Sequence, residues 1–309
     1  MRVSRNRKSG GSVSSPRRVL GLAALVLVVL GAGTAVSVTT GMPEKPEESL
    51  AQPSTAVLDT LKARPPLHRL LYVRTAADER VSTAQRHLVS RCMAAKGFRQ
   101  RPAAIGKTPT GTEEYPLPFG LERLDPPAPA KPSELPAERH ESEAYTRALF
   151  GDPKRRITAK GENLKVTRPA TGCQAEAEKR LLGDDGRVRW LQLRLLLGDG
   201  QTHARRSIEK APSFQKATSD WRACMRRAGI RQTDPQAILR DLPADAAPRT
   251  HPAARADLRC KEATGYLHTA YTALAAAQRA WLREHPQDLA DWRALQKRQE
   301  TAARQVTRT

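Results

Sequence analysis

Cys92-Met93-Ala94-Ala95-Lys96-Gly97-Phe98 is echoed downstream by Cys224-Met225-Arg226-Arg227-Ala228-Gly229-Ile230. In each stretch a cysteine and a methionine are followed, after three residues, by glycine and an apolar side chain, the pattern of a helix that ends in a glycine stop. Cys173 and Cys260 occupy the opposite situation, each at or near the start of a downstream helix, in Gly172-Cys173-Gln174-Ala175-Glu176 and Arg259-Cys260-Lys261-Glu262. The chain therefore reads as mainly α. It consists of two modules, about 75–185 and 212–309, in which the end of one helix faces the start of another.

The simplest arrangement consistent with this duplication pairs Cys92 with Cys173 and Cys224 with Cys260. Four cysteines allow three pairings, and the pattern leaves the other two open. A zinc site of four thiolates normally uses close pairs, whereas these cysteines are separated by 81, 51 and 36 residues. Each also shares a face with apolar residues, Cys260 with Leu267 and Leu274 and Cys224 with Trp221, which suits a buried bridge better than a reactive thiolate. All four are assigned to disulfides, which belong in an oxidising compartment.

The N-terminus agrees with that compartment. Residues 19–38 (VLGLAALVLVVLGAGTAVSV) hold no charge, and residues 1–18 carry Arg2, Arg5, Arg7, Lys8, Arg17 and Arg18 with no acid. A run of that length spans about 30 Å of hydrocarbon at about 1.5 Å per residue, and basic flanks stay cytoplasmic. Residues 1–18 read as a cytoplasmic basic tail and 19–42 as a transmembrane helix or a signal segment, its length favouring retention over cleavage after Ser37. Residues 43–74 begin with a stretch rich in Pro, Glu and Ser and read as a linker. The expected localisation is the cell membrane, single-pass with an extracytoplasmic C-terminal domain, or else secretion.

Thr75 with Asp78 forms a capping box for a helix over 76–96. Nine prolines between Arg101 and Pro136 forbid long regular elements there. A helix over 137–150, a small β-hairpin near 157–166, a helix over 173–182 and a helical pattern through Ile208, with Gly198 and Gly200 as interruptions, follow. Ser213 is placed to cap the next helix, and Asp234-Pro235 a short one. Residues 252–284 read as one long helix, and a break at His285-Pro286 precedes another to Val306, the pair suited to an antiparallel hairpin.

The order of motifs resembles a group of uncharacterised exported, membrane-anchored actinobacterial proteins with four spaced cysteines. The matching elements are Cys92-Met93 with Gly97-Phe98, Tyr145 with Leu149 and Gly151, Gly172-Cys173 with Glu176-Ala177 and Arg180-Leu181, and Trp221 with Cys224-Met225 and Gly229. The resemblance spans roughly residues 75–295. It implies a cell-surface location and paired disulfides, and it transfers no activity and no catalytic residue.

The net charge is +21, and because residues 1–42 hold six basic residues and no acid, the remainder carries +15. Outside a membrane such a field favours an anionic envelope polymer, a lipid surface or an acidic envelope protein. Export and the lack of aromatics interleaved with basic residues argue against nucleic acid. Ser213 and Lys216 match SxxK without the partner motifs of acyl-transfer enzymes. The seven histidines have no metal-ligand spacing and read as surface or boundary residues. No cofactor or metal is expected.

These readings converge on a non-catalytic, membrane-anchored extracytoplasmic protein that binds an anionic envelope component or a partner protein. Two alternatives stand beside it. One is a secreted hydrolase with its site in the proline-rich loop 101–136, which a dependence of activity on Glu113, Glu114 or the nearby His140 would support; the other is a structural subunit oligomerising through 253–306.

Overall fold

The computed structural model describes residues 55–99, 117–124, 142–243 and 247–307. The segment expected to cross the membrane, most of the proline-rich excursion, Glu113, Glu114 and His140 lie outside the described residues. Among the described residues, no helix is long and apolar enough to cross a membrane.

The protein is mainly helical, with one two-stranded antiparallel hairpin. The chain order is α1 (Thr55–Ala63), α2 (Pro66–Tyr72), α3 (Ala76–Ala95), α4 (Glu143–Phe150), β1 (Arg156–Lys160), β2 (Lys165–Pro169), α5 (Cys173–Leu182), α6 (Gly186–Ile208), α7 (Pro212–Arg227), α8 (Pro235–Asp241), α9 (Pro252–Ala263), α10 (Tyr266–Glu284) and α11 (Pro286–Val306). In the hairpin, Ile157 pairs with Arg168 and Ala159 with Val166.

The echoed cysteine stretches are the same backbone device twice. At the end of α3, Phe98 N–H donates to Met93 O and Gly97 N–H to Ala94 O, both at 2.9 Å. At the end of α7, Ile230 N–H donates to Met225 O and Gly229 N–H to Arg226 O. This is the Schellman closure, which needs positive φ at the glycine; Gly97 and Gly229 sit at +84° and +77°. Met93 and Met225 are fully buried, with Phe98 and Ile230 packed alongside. The preceding cysteines point to their partners. Cys92 bonds Cys173, tying α3 to α5, and Cys224 bonds Cys260, tying α7 to α9, each with Cα atoms 5.6 Å apart.

Several expectations change. Residues 55–72 are not linker: they form α1 and α2, and Leu58, Leu61 and Leu67 are buried against α6, α10 and their neighbours. Composition hid this, because one or two buried leucines, Leu58 and Leu61 on α1 and Leu67 on α2, suffice to bind a short helix to a core. The expected single helix over 252–284 breaks at Thr264-Gly265 into α9 and α10. In contrast, α6 runs unbroken past Gly198 and Gly200. Gly200 is where Trp281 lies on the helix: a Cβ there would fall 2.8 Å from the indole ring.

Ser213 does not cap α7. Ala211 is the N-cap and Pro212 takes the first helical position, leaving Ser213 exposed. The tail is not an antiparallel hairpin either. Helix α10 packs mainly on α6 and α7, while α11 leaves it at His285 and packs on α3 and α5. The last helix of the expected second module therefore completes the first, and the boundary between 75–185 and 212–309 does not divide the helices. Ala84, Leu181 and Ala303 form that seam, flanked by an ion pair of Arg80 Nη2 with Glu300 Oε1 at 2.6 Å.

His68 is the one described histidine that is deeply buried, 2% exposed, which corrects its reading as a surface or boundary residue. Burial, with a smaller contribution from Lys62, pushes its imidazole down to about 4. An unfolded chain takes up that proton near pH 6.5, the folded one only near 4, so the stabilising contribution is present at neutral pH and is lost as pH falls through this window. The full effect is about 3 kcal/mol. In urea unfolding at about pH 7 and about pH 4, the wild type is expected to lose more stability than His68→Gln by this amount. Equal losses would show that His68 protonates freely in the fold.

Candidate functional site

The main core is lined by aromatic residues from distant parts of the chain. Phe119 is fully buried, 5.0 Å from the Tyr271 ring in an edge-on contact and 5.9 Å from Phe214. It belongs to residues 117–124, a short described piece of the proline-rich excursion, and a buried polar network holds that piece in place. Glu122 receives Lys62 Nζ at 2.7 Å and the Tyr271 hydroxyl on its other oxygen. Lys261 Nζ donates to Leu121 O and to Asp257 Oδ2, the latter at 2.7 Å. Trp221 Nε1 donates to Asp257 Oδ1 at 2.9 Å. Gln236 Nε2 donates to Pro118 O at 2.9 Å.

Burial pushes the Asp257 carboxyl up to about 6 and the Lys261 ammonium below its ordinary value, each against the pull of the other. The indole donor on Asp257 and the carbonyl acceptor on Lys261 are the partners that an ion pair requires to survive in such a place.

Above this floor, the end of α6, the length of α7, both ends of α8 and the first turn of α10 border a cleft of about 550 Å³. Arg205, Arg222 and Arg240 line it, one from each of α6, α7 and α8. The Arg205 guanidinium lies 4.8 Å from the Phe119 centroid and 5.4 Å from that of Phe214, so the anchored segment sets its position through a cation–π contact. Its Nε is 3.8 Å from Glu209 Oε1, while its Nη1 is buried with no hydrogen-bond acceptor among the described residues. A buried donor left in that state costs about 1–3 kcal/mol, more when charged.

Arg222 Nε donates to Thr233 O, and Arg240 Nη2 lies 3.7 Å from Asp234 Oδ2, so both are oriented without being fully neutralised. Asp234 also caps α8, accepting from Ala237 N–H at 3.0 Å. Tyr266 borders the cleft as a buried side chain; burial pushes its hydroxyl up to about 12, and that hydroxyl is hydrogen-bonded to the Thr218 side chain. Among the described residues, no cysteine, serine or histidine lines the cleft. Its chemistry is that of anion recognition: several cationic donors, one of them desolvated and unmet, on rigid helices.

The four cysteines are brought together as two pairs, away from any open site. The SxxK match dissolves, since Ser213 is exposed and Lys216 Nζ pairs with Asp220 Oδ2 at 2.6 Å on the outside of α7. Among the described residues, no group of three or more His, Cys, Asp or Glu is arranged to hold a metal. The cleft itself was not visible as a motif, because its arginines lie in three helices and its floor comes from the proline-rich segment.

Compared with known proteins, the chain matches no family model, no curated protein and no solved structure.

Proposed function

We propose that this chain is a non-catalytic extracytoplasmic protein that binds an anionic component of the cell envelope, held at the membrane by residues 19–42. It would belong with the exported four-cysteine actinobacterial proteins that it resembles. The observation that carries this reading is the cleft, which Arg205, Arg222 and Arg240 line and where Arg205 Nη1 is buried without an acceptor among the described residues. Two disulfides fit an oxidising compartment, and a charge of +15 beyond residue 42 steers anions toward the site.

The test is co-sedimentation of the full-length protein with isolated cell envelopes across a salt series, with and without prior removal of anionic wall polymer. Retention at low salt that weakens steeply by about 0.5 M and is abolished by stripping is the expected result, since screening at that ionic strength reaches within a few ångströms. Protein that stays free at every salt concentration overturns the proposal.

A further inference from the structure

Three arginines make a general anion site; the groups around them narrow the ligand. Arg205, Arg222 and Arg240 are offset in the lining by Glu209 and Asp234, which leaves a single net positive charge. A phosphomonoester dianion would enter with charge unbalanced and two acids facing it, whereas a monoanionic unit, carboxylate or phosphodiester, is matched. The three guanidinium groups also approach from three helices rather than as one fork. A planar carboxylate is best met by one guanidinium in its own plane, while a tetrahedral phosphoryl group offers oxygens to donors from several directions.

The uncharged lining fits hydroxyl groups. Gln215 Nε2 donates to Glu209 O at 3.1 Å and Gln236 Nε2 to Pro118 O at 2.9 Å, which fixes both amides with no donor on either Oε1 among the described residues. Those oxygens, with Glu209 and Asp234, accept from hydroxyls.

We infer that the cleft binds one phosphodiester unit of a hydroxyl-bearing chain, a polyol- or sugar-phosphate polymer, with Arg205 as the central donor and Arg222 and Arg240 on the remaining phosphoryl oxygens. This inference rests on the reading of the protein as an anion binder in the envelope and goes on to name the ligand class and the residues that select it.

The experiment is calorimetric titration of the full-length protein with three probes: a glycerol-phosphodiester oligomer, a polyuronate oligomer of equal charge, and glycerol 3-phosphate. The diester oligomer is expected to bind at least about ten-fold more tightly than the others, the loss of one charge-assisted hydrogen bond being worth about that factor. Arg205→Gln is expected to abolish binding. Because Arg205 packs on Phe119 and Phe214, thermal unfolding of that variant is recorded in parallel. The double variant Arg222→Gln, Arg240→Gln, altered only at exposed side chains, carries the test if Arg205→Gln does not fold, and it is expected to bind at least about a hundred-fold more weakly.

Equal affinity for the polyuronate overturns the choice of phosphodiester. Unchanged diester binding in the double variant overturns the cleft as the site. If no oligomer binds yet envelope retention keeps its salt dependence, this inference fails and the proposed function stands; if both fail, both fall.

Discussion

Lys261→Met is expected to lower folding stability by about 3–5 kcal/mol, the usual cost of removing one partner from a buried ion pair. Methionine fills the space of the lysine stem. What remains is Asp257, fully buried, with only the Trp221 indole to meet its charge, and a Leu121 carbonyl with its donor removed. Chemical denaturation at neutral pH measures the loss. A dependence on pH separates this cause from simple misfit. Burial already holds the Asp257 carboxyl up to about 6, and without Lys261 the neutral acid is favoured further, so the deficit should shrink as pH falls toward about 5. A second substitution, Asp257→Leu, should restore part of the stability and not all of it, since Trp221 Nε1 then lacks an acceptor. A deficit within about 1 kcal/mol at every pH would mean that the pair is not charged in the fold. The same variant reaches the cleft: a loosened Leu121 frees Phe119, on which the Arg205 guanidinium lies.

Replacing either disulfide by two alanines is expected to cost about 4 kcal/mol, from closed loops of 81 residues for Cys92–Cys173 and 36 for Cys224–Cys260. The logarithmic dependence on loop length makes the two losses similar despite the difference in span. Their functional effects should differ. Cys224–Cys260 fixes α7, which carries Phe214, Thr218 and Arg222 of the cleft, so its removal should weaken anion binding as well as stability. Cys92–Cys173 joins α3 to α5, elements that contribute nothing to the lining, and its removal should leave binding intact in whatever fraction stays folded. Peptide mapping under non-reducing conditions checks the pairing directly, and a peptide linking Cys92 to Cys224 would contradict it.

The parts of this fold that could be read in advance are those governed by neighbours in the chain. The Thr75–Asp78 box, the glycine stops at 97 and 229, the Asp234 cap and the hairpin turn all follow from residues within a few positions of each other, and each is present. The cysteine pairing was legible because it came with those helix ends, a local device used twice. Where tertiary packing decides, the sequence signal failed. Leu58, Leu61 and Leu67 looked like stray apolar residues in a polar linker, since nothing nearby shows the surface they cover. Phe119 and Glu122 were hidden in a stretch dominated by proline. The arginines of the cleft are unremarkable among 53 basic residues until the helices that carry them are brought side by side.

The crossing of α11 back to α3 and α5 bears on how the protein is made. Val81 and Leu88, on a helix synthesised early, find Ala302, Ala303 and Val306 only when the last turn of α11 has emerged. Such long-range closure delays this packing step until the residues of α11 have been synthesised. Until then the first-made half presents an apolar stripe that needs shielding from other nascent chains. Loss of the last turn of α11 is therefore expected to loosen α3 and α5, helices that lie more than a hundred residues upstream of the break.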